Sequence, residues 1–336
     1  MIAAATSEQR PCDQTEMSLG IRRQSLELGF HKVGIVSADA LTEESERLRQ
    51  WLAHGFHGEM TWMERDPAQR TDPRRIFPAA RSVIVGALNY YTPRQHQVRT
   101  TRVSGWTQEQ PVATGKVSRY AWGDDYHDVV GDKLRALLKW IQSRWPEAEG
   151  KVCVDIQPTM DKAWAVHAGL GWMGKHTNLI TRDYGSWVFI GELLLNVELE
   201  YDREEVADQC GSCTLCLDEC PTGAIVQPYV LDSNKCISHA TIESRAAKMR
   251  AEVAANLEGW FYGCDICQEV CPWNQKTPAT DETHLEPRPG NVDVSLPEVL
   301  ELTPETYAAR FRGSAMKRAK LSGLQRNARA LHKRSQ

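Results

Sequence analysis

The sequence predicts an α/β or α+β layered domain, then a ferredoxin-like module for two [4Fe–4S] clusters, then a basic helical end. Three observations predict this. Between residues 17 and 205, apolar strand-like runs alternate with helical patterns. Cysteines crowd into Cys210–Cys271 with the spacing C-x₂-C-x₂-C-x₃-C-P at its start. From Tyr307 to the end there are nine Lys/Arg and no Asp/Glu.

The elements follow in order. Residues 1–16 read as a disordered tail, and MIAAATSEQRPCDQTEM lacks the apolar core and basic start of a secretory signal. A helix is expected over 17–29, ended by Gly29, then a strand and turn at His31–Asp39. A helix over Thr42–His54 ends at Gly55, and Pro67, Pro73 and Pro78 break helix beyond it. Ser82–Tyr90 is a buried strand by its continuous apolar run. Residues 92–114 are Thr/Gln/Arg-rich and read as an exposed loop. Val117–Trp122 reads as extended and Asp124–Gln142 as a helix capped by Asp124 or Asp125. Lys151–Asp155 and Ser186–Leu195 are strands, and Asp161–His167 is a short helix before a glycine-rich turn. The sheet order is not readable. Residues 17–205 therefore form the layered domain, 206–277 the cluster module and 278–336 the rest. In that last part Pro278–Pro297 reads as a surface linker and Leu296–Leu302 as a helix. Thr303 caps a further helix with Pro304 at its first position.

The cysteine run Cys210, Cys213, Cys216, Cys220-Pro221 is followed by Cys236, Cys264, Cys267 and Cys271-Pro272. In this spacing the fourth cysteine of each run ligates the other cluster. That rule assigns Cys210, Cys213, Cys216 and Cys271 to cluster 1, and Cys220, Cys236, Cys264 and Cys267 to cluster 2. A zinc site would want paired C-x₂-C or Cys/His ligands. A disulfide framework does not suit a 336-residue chain with no export signal. Thiolate-held clusters imply a reducing cytoplasm. Of the other cysteines, Cys12 lies in the tail and Cys153 in a strand.

Composition adds bounds. The chain is 41% hydrophobic and 25% charged, ordinary for a globular protein. No apolar run approaches the ~18–20 residues that span a bilayer. Net charge is −4, so the chain outside the basic end carries −13. Two motifs mislead. Gly169-Leu-Gly171-Trp-Met-Gly174-Lys175-His176 contains G-x-G-x-x-G and nearly a phosphate loop. It follows a helix and precedes an extended stretch, the reverse of a nucleotide-binding turn. Asp125-Tyr-His127-Asp-Val-Val-Gly131 has one residue too many for the D-x-H-x-x-G of proteins that ligate cobalt with histidine, and reads as a helix cap.

Other residues together carry a resemblance. Arg119-Tyr-Ala-Trp-Gly-Asp-Asp-Tyr-His127, Val-Asp155-Ile-Gln-Pro158, Ala-Gly-Leu-Gly-Trp172-Met-Gly-Lys175-His-Thr-Asn178-Leu, Tyr184-Gly-Ser-Trp187 and Gly191-Glu192 resemble the epoxyqueuosine reductase (QueG) family, as do the cysteine pattern and the end Phe311-Arg-Gly-Ser-Ala…Arg326-Asn-Ala. The match covers about residues 17–332. That family is similar to reductive dehalogenases, with a nitroreductase-like cobalamin-binding domain joined to a two-cluster ferredoxin module. The resemblance implies reduction of an epoxide to an alkene on a modified base in a tRNA anticodon loop. It also implies an external low-potential electron donor and a monomer. Some members add a C-terminal helical-repeat domain, which this chain is not expected to carry.

The chemistry asks for matching parts. An epoxide becomes an alkene and water by taking up two electrons and two protons. Clusters move electrons singly, and cobalamin can gather two at carbon. A positioned acid must protonate the departing oxygen. The resemblance assigns that role to Asp155, at the end of a strand where α/β folds place chemistry. By matching position it implies cobalamin contacts from Arg119, Tyr120, Asp155, Lys175, Asn178, Ser186 and Ser238, with no histidine bound to cobalt. The basic end offers Arg312, Lys317, Arg318, Lys320 and Arg326 to tRNA phosphates. Trp62, Tyr90 or Trp122 could stack a flipped base. Two rivals remain. A cobalamin-dependent reductase of a small organohalide or epoxide would not need the basic end. A pure electron-transfer subunit would not need the ~200 residues before the cysteines.

Overall fold

The computed structural model describes residues 14–96, 113–202 and 206–332. The first elements are α1 (Gln14–Glu27), β1 (Lys32–Ser37), α2 (Thr42–Ala53), α3 (Pro67–Thr71), β2 (Ser82–Asn89) and β3 (Thr114–Val117). Next come α4 (Tyr126–Arg144), β4 (Gly150–Cys153), α5 (Asp161–His167), β5 (Trp172–Met173), β6 (Leu179–Ile180) and β7 (Val188–Leu195). The cysteine region holds α6 (Leu215–Asp218), β8 (Ile225–Gln227), β9 (Val230–Leu231), α7 (Ile237–Ile242), α8 (Ala251–Ala255), β10 (Trp260–Tyr262) and α9 (Ile266–Glu269). The end is β11 (Asp293–Ser295), α10 (Leu296–Glu301), α11 (Pro304–Arg310) and α12 (Lys320–His332). The expected tail 1–13 and most of the expected loop, 97–112, lie outside the described residues. Residues 14–16 already belong to α1.

The main sheet runs β1-β2-β7-β4, and every pairing in it is antiparallel. The connection 38–81 leaves β1 at Ser37 and enters β2 at Ser82, which pair with each other. It therefore returns at the end of the sheet it left, so helices between strands do not make a parallel crossover here. The architecture is α+β, and the rule that places chemistry at the carboxyl edge of a parallel sheet does not apply.

The two central strands are buried on both faces, which is why β2 and β7 read as unbroken apolar runs. Ile84, Leu88, Leu193 and Leu195 face α1 and α4 through Met17, Ile21, Val130, Leu134 and Leu137. Val83, Val85, Ala87 and Leu194 face α5 through Ala163, Trp164 and Ala165. A Cβ at Gly191 would lie 2.6 Å from Val130, so glycine lets α4 lie close on the sheet. The glycine-rich turn is packing of the same kind. Gly171 sits where a Cβ would be 2.0 Å from the Ile180 carbonyl, inside the β5–β6 hairpin.

A second sheet, β10-β3-β11, draws one strand from the layered domain, one from the cluster module and one from the segment after it. Its core joins Val117, Trp122, Phe261, Val294, Phe311, Met316 and Leu324. Pro278–Pro297 is thus no loose linker. Thr280 hydrogen-bonds Asn89 and Tyr91 carbonyls, Leu285 and Val292 are buried, and β11 pairs β3. The Arg119–Ala121 segment is a 3₁₀ turn, not extended. Thr303 forms the capping box of α11 as expected.

Candidate functional site

Asp155 lies two residues past β4, in the left-handed backbone region at φ 54°. That conformation is costly for a non-glycine residue and persists where its surroundings hold it. Gln157 Oε1 accepts from the Val154 N–H at 2.9 Å, closing the turn. The first turn of α4 supplies the rest. Tyr126 donates its hydroxyl to Asp155 Oδ2 at 2.5 Å, and His127 Nε2 is 3.4 Å from the same oxygen. Asp125 caps α4 by accepting the His127 N–H and holds His127 Nδ1 at 2.6 Å. Tyr126 is fixed by stacking on Phe189 at 4.5 Å and 6°. Sequence reasoning read Asp125 and His127 as a helix cap alone. The cap is there, and it also aims two side chains at Asp155.

The electrostatics follow from this geometry. The Asp155 side chain is 61% exposed, towards a cavity; partial desolvation there pulls its carboxyl upward, but hydrogen bonds from His127 and Tyr126 outweigh it and hold it below the usual carboxylate range. Burial disfavours imidazolium at His127, yet Asp125 and Asp155 raise it to about 9. Lys162, the second residue of α5, donates Nζ to Asn178 at 2.6 Å and to the Thr177 carbonyl at 3.1 Å. Lys162 is exposed at the cavity wall, and partial desolvation there lowers its pKa against the pull of Asp155.

Asp155 opens on a cavity of about 460 Å³ between the main sheet and the cysteine region. Its walls are largely apolar, with Leu179, Val188, Phe189, Ile225, Ile237 and Ile266 among them. Tyr120, Asn178, Ser186 and Ser238 are in the wall, where sequence reasoning put them, as is Tyr90. Two expected contacts are not. Arg119 is 4% exposed, donates to the Thr92 and Arg94 carbonyls, and lies over the rings of Tyr91, Trp122 and Trp187. Its role is to tie segments of the core together. Lys175 points away, with Nζ on the Gly211 and Cys213 carbonyls at 2.6 and 2.9 Å. Residues missed from sequence are Tyr126, His127, Lys162, Asp161, His176 and Gln268; only the sheet order could have brought them together. His176 is 3% exposed and its Nε2 meets no protein partner.

The eight cysteines fall into two groups. Cys216 faces Cys271, Cys210 and Cys213, and Cys271 faces Cys210 and Cys213. Cys267 faces Cys236 and Cys220, and Cys264 faces Cys267 and Cys236. Cys216 also acts on Cys267 across the two groups; we propose the sets read from the spacing, Cys210, Cys213, Cys216 and Cys271 against Cys220, Cys236, Cys264 and Cys267, as the ligands of the two clusters. Burial and the neighbouring thiols push Cys216 up to about 11. Thiolates so placed require a cation among them. Among the described residues no three His, Cys, Asp or Glu are placed to hold a single metal ion; the spacing of the cysteines is what points to polynuclear clusters. Cys220, Cys236, Cys264 and Cys267 line the cavity; the other four do not. Buried Asp265 joins the two halves, accepting the Ser118 hydroxyl at 2.5 Å and the Arg119 N–H at 2.7 Å. Ser186 joins them again through Gln268 and Asn274.

The basic end divides. Arg312, Lys317 and Lys320 are exposed. Arg318 is half-exposed, bidentate to Glu243 at 2.7–3.0 Å, and lies 5.1 Å over the Trp62 ring. Its guanidinium faces Asp155, and Lys317 faces Asp125, so this segment flanks the acid side of the cavity. Arg326 does not belong with them. It is 6% exposed and donates to the Ala240, Ser244 and Ala246 carbonyls. Trp122 is core at 1% exposed. No helix of the described residues is long and apolar enough to cross a membrane.

An acid-bearing cavity walled by one of two four-cysteine groups defines an iron–sulfur oxidoreductase. The family comparisons narrow this. The model described as "Epoxyqueuosine reductase QueG, DUF1730" matches residues 70–156, and the 4Fe-4S double cluster binding domain matches 209–274. The epoxyqueuosine reductase of Synechocystis sp. is 46% identical over 296 residues, 88% of this chain and 97% of that protein. That of Cellulophaga algicola is 42% identical over 307 residues, 91% of this chain and 95% of its own. A crystal structure of epoxyqueuosine reductase with a tRNA-Tyr epoxyqueuosine-modified stem loop superposes at TM-score 0.86 with 30% identity, covering 94% of this chain and 80% of that one. The Streptococcus thermophilus enzyme superposes at 0.82, also at 30% identity, covering 93% of this chain and 80% of its own. The chain belongs to the epoxyqueuosine reductase family, and its cysteine module binds two [4Fe–4S] clusters.

Proposed function

We propose that this chain reduces the epoxide of epoxyqueuosine in a tRNA anticodon loop to the alkene of queuosine, in the cytoplasm and as a monomer. The observation that carries the reading is the cavity, with a hydrogen-bonded aspartate on one wall and four cluster cysteines on the other. The cavity suits cobalamin. Its apolar walls fit a corrin ring, and polar groups at its edge, including the unpartnered His176 Nε2, fit amide side chains. Tyr120, Asn178, Ser186 and Ser238 are the residues to hold it. Bound there, cobalamin supplies the centre at which two singly delivered electrons are used on carbon.

The chain's own residues do the rest. Cluster 1 lies beside Leu215 and Tyr229, which with Val226 are exposed apolar side chains among the carboxylates Asp208, Asp218 and Glu219. An external one-electron donor protein meets the chain there. Cluster 2, in the cavity wall, passes electrons inward. Asp155 delivers a proton to the epoxide oxygen: its carboxylate, ionised at rest, takes that proton from the His127 imidazolium 3.4 Å away, and Tyr126 and His127 hold it towards the substrate. Lys317, Lys320 and Arg312 contact tRNA phosphates, and Trp62 with Arg318 offers a face on which a base stacks.

Nucleoside mass spectrometry tests the reading. The protein is reconstituted anaerobically with iron, sulfide and cobalamin, reduced, and given tRNA carrying the epoxide nucleoside. Loss of one oxygen mass that requires cobalamin is expected. Asp155→Asn should retain both clusters and lose on the order of 10²–10⁴-fold in rate. Full activity of that variant refutes the assignment of Asp155. An unchanged nucleoside with clusters and cobalamin loaded would instead favour the small-molecule reductase.

A further inference from the structure

The reaction brings two protons to one oxygen, and the His127–Asp155 pair supplies one, from the imidazolium through the carboxylate. Behind Asp155 the structure holds two more carboxyl groups that the mechanism above does not use. Glu192 is the fifth residue of β7, on the face that meets α5, and its strand partner across β4 is Cys153. It is 0% exposed, and neither carboxyl oxygen meets a hydrogen-bond donor of the protein. Its carboxyl group lies near that of Asp161, the first residue of α5, close enough for a hydrogen bond once one of the two carries a proton. Two carboxyl groups this close, one of them fully buried and the other only partly open to the cavity, resist being ionised together, and a shared proton relieves the repulsion. Asp161 also accepts the Thr159 hydroxyl, faces Asp155 and lines the cavity, whereas Glu192 does not. The order from interior to cavity is Glu192, Asp161, Asp155.

We infer that Glu192 and Asp161 form a proton store, a buried acid–carboxylate pair that reloads Asp155 with the second proton of each turnover. The inference rests on the reductase reading above. The steps balance. Asp155 protonates the oxygen as the first carbon–oxygen bond breaks, leaving a hydroxyl group. The pair passes its proton to the Asp155 carboxylate. Asp155 protonates the hydroxyl, which leaves as water as the second carbon–oxygen bond breaks and the carbon–carbon double bond forms. The two electrons come through the clusters from the external donor protein. Cavity water returns one proton to the pair and one to His127 between turnovers.

The surroundings are consistent with a store that is loaded near neutral pH. Burial and the charge of Asp155 push Asp161 up to about 6, and burial with Asp161 pushes Glu192 well above its ordinary value. Asp155, by contrast, is held low by His127 and Tyr126. The cations facing this group are Lys162 and Arg70, drawn to Asp155 and Asp161; Cys153 faces Glu192 and is itself pushed up to about 12. Glu192 has no ion pair with any of them among the described residues.

Glu192→Gln tests the inference, because glutamine keeps a neutral donor towards Asp161 but has no transferable proton. The first readout needs neither cobalamin nor tRNA. In infrared spectra at neutral pH, wild type should show the carbonyl stretch of a protonated carboxyl group, absent in Glu192→Gln. The second is kcat against pH on the reconstituted enzyme. Wild-type kcat should fall at alkaline pH as the store empties. Glu192→Gln and Asp161→Asn should be slowed on the order of 10²-fold across the range and lack that limb. Wild-type turnover reports on the reductase reading, and the infrared band on the store alone. A wild-type protein without the band, or a Glu192→Gln enzyme with wild-type kcat and an unchanged alkaline limb, overturns the store.

Discussion

Arg326 separates what the basic end looks like from what it does. As part of a nine-cation segment it reads as a phosphate contact, yet its guanidinium is enclosed. Nη1 donates to the Ser244 and Ala246 carbonyls at 2.9 and 3.1 Å, and Nη2 to the Ala240 carbonyl at 2.6 Å. Nε and Nη2 also hold Asn327 Oδ1 at 3.1 and 2.9 Å, which turns Asn327 Nδ2 onto the Thr241 and Phe261 carbonyls. Arg326→Ala removes the donor for three carbonyls around α7, the helix that follows ligand Cys236. At about 1–1.5 kcal/mol for each carbonyl left without a donor, the loss is about 3–4 kcal/mol. That is a large share of the roughly 5–15 kcal/mol that a folded domain commands. Arg326→Lys should recover little, because one ammonium cannot reproduce the planar fork. The assay is urea unfolding followed by fluorescence and by cluster absorbance, with tRNA affinity measured alongside at several salt concentrations. If Arg326→Ala unfolds like wild type and instead lowers the slope of log K against log salt by about 1, the buried role is wrong and the sequence expectation was right.

Three further outcomes follow from the same geometry. Alanine at Lys317, Arg318 and Lys320 together should reduce the salt slope of tRNA binding by about 2 rather than 3, because Arg318 is already bidentate to Glu243; an unchanged slope places the tRNA elsewhere. Cys267→Ala should lose the cluster in the cavity wall, halve bound iron and abolish turnover while the other cluster still takes an electron from dithionite by electron paramagnetic resonance; turnover without it would overturn the order of the clusters. Glu192 is raised in the folded state from an ordinary value of 4.5. Its contribution to stability is therefore fully present below that value and lost as pH rises towards the folded value, since the unfolded chain ionises first. Denaturation midpoints should fall from about pH 5 to about pH 8 more steeply in wild type than in Glu192→Gln, and equal slopes would show Glu192 ionised in the fold.

The parts legible in the sequence are those encoded by local spacing. The cysteine register announced a module for two clusters, because the spacing within each run is short and local. β2, β7 and α5 were legible because burial on both faces leaves an unbroken apolar run, and a short helix shows its period. The strap at 278–297 was not, because its hydrogen bonds go to Asn89, Tyr91 and β3, far away in sequence. The antiparallel order of the main sheet was hidden for the same reason. A strand–helix–strand pattern is shared by crossovers and returns, and only pairing tells them apart. Arg119 and Arg326 misled because charge along a chain does not say which cations carbonyls and aromatic rings enclose. His127 was read for what it does to its own helix, and its second partner, Asp155, lies in the turn after β4.

The cavity sets the two kinds of input apart. On the proposed reading, electrons arrive from the part of the wall that carries Cys220, Cys236, Cys264 and Cys267, and protons from the part that carries Asp155 and Asp161, with Glu192 behind them. The division has a chemical reason. A low-potential centre beside a loaded acid can lose its electrons to protons, and an excluded, apolar interior between them suppresses that leak. The second sheet makes the separation rigid, because β3 stands between β10 of the cluster module and β11 of the strap, and Asp265 anchors Ser118 and Arg119 across the same seam. Moving the cluster wall against the acid wall would break those bonds together. The cavity therefore holds its width while the substrate, which must meet both walls at once, is the component that comes and goes.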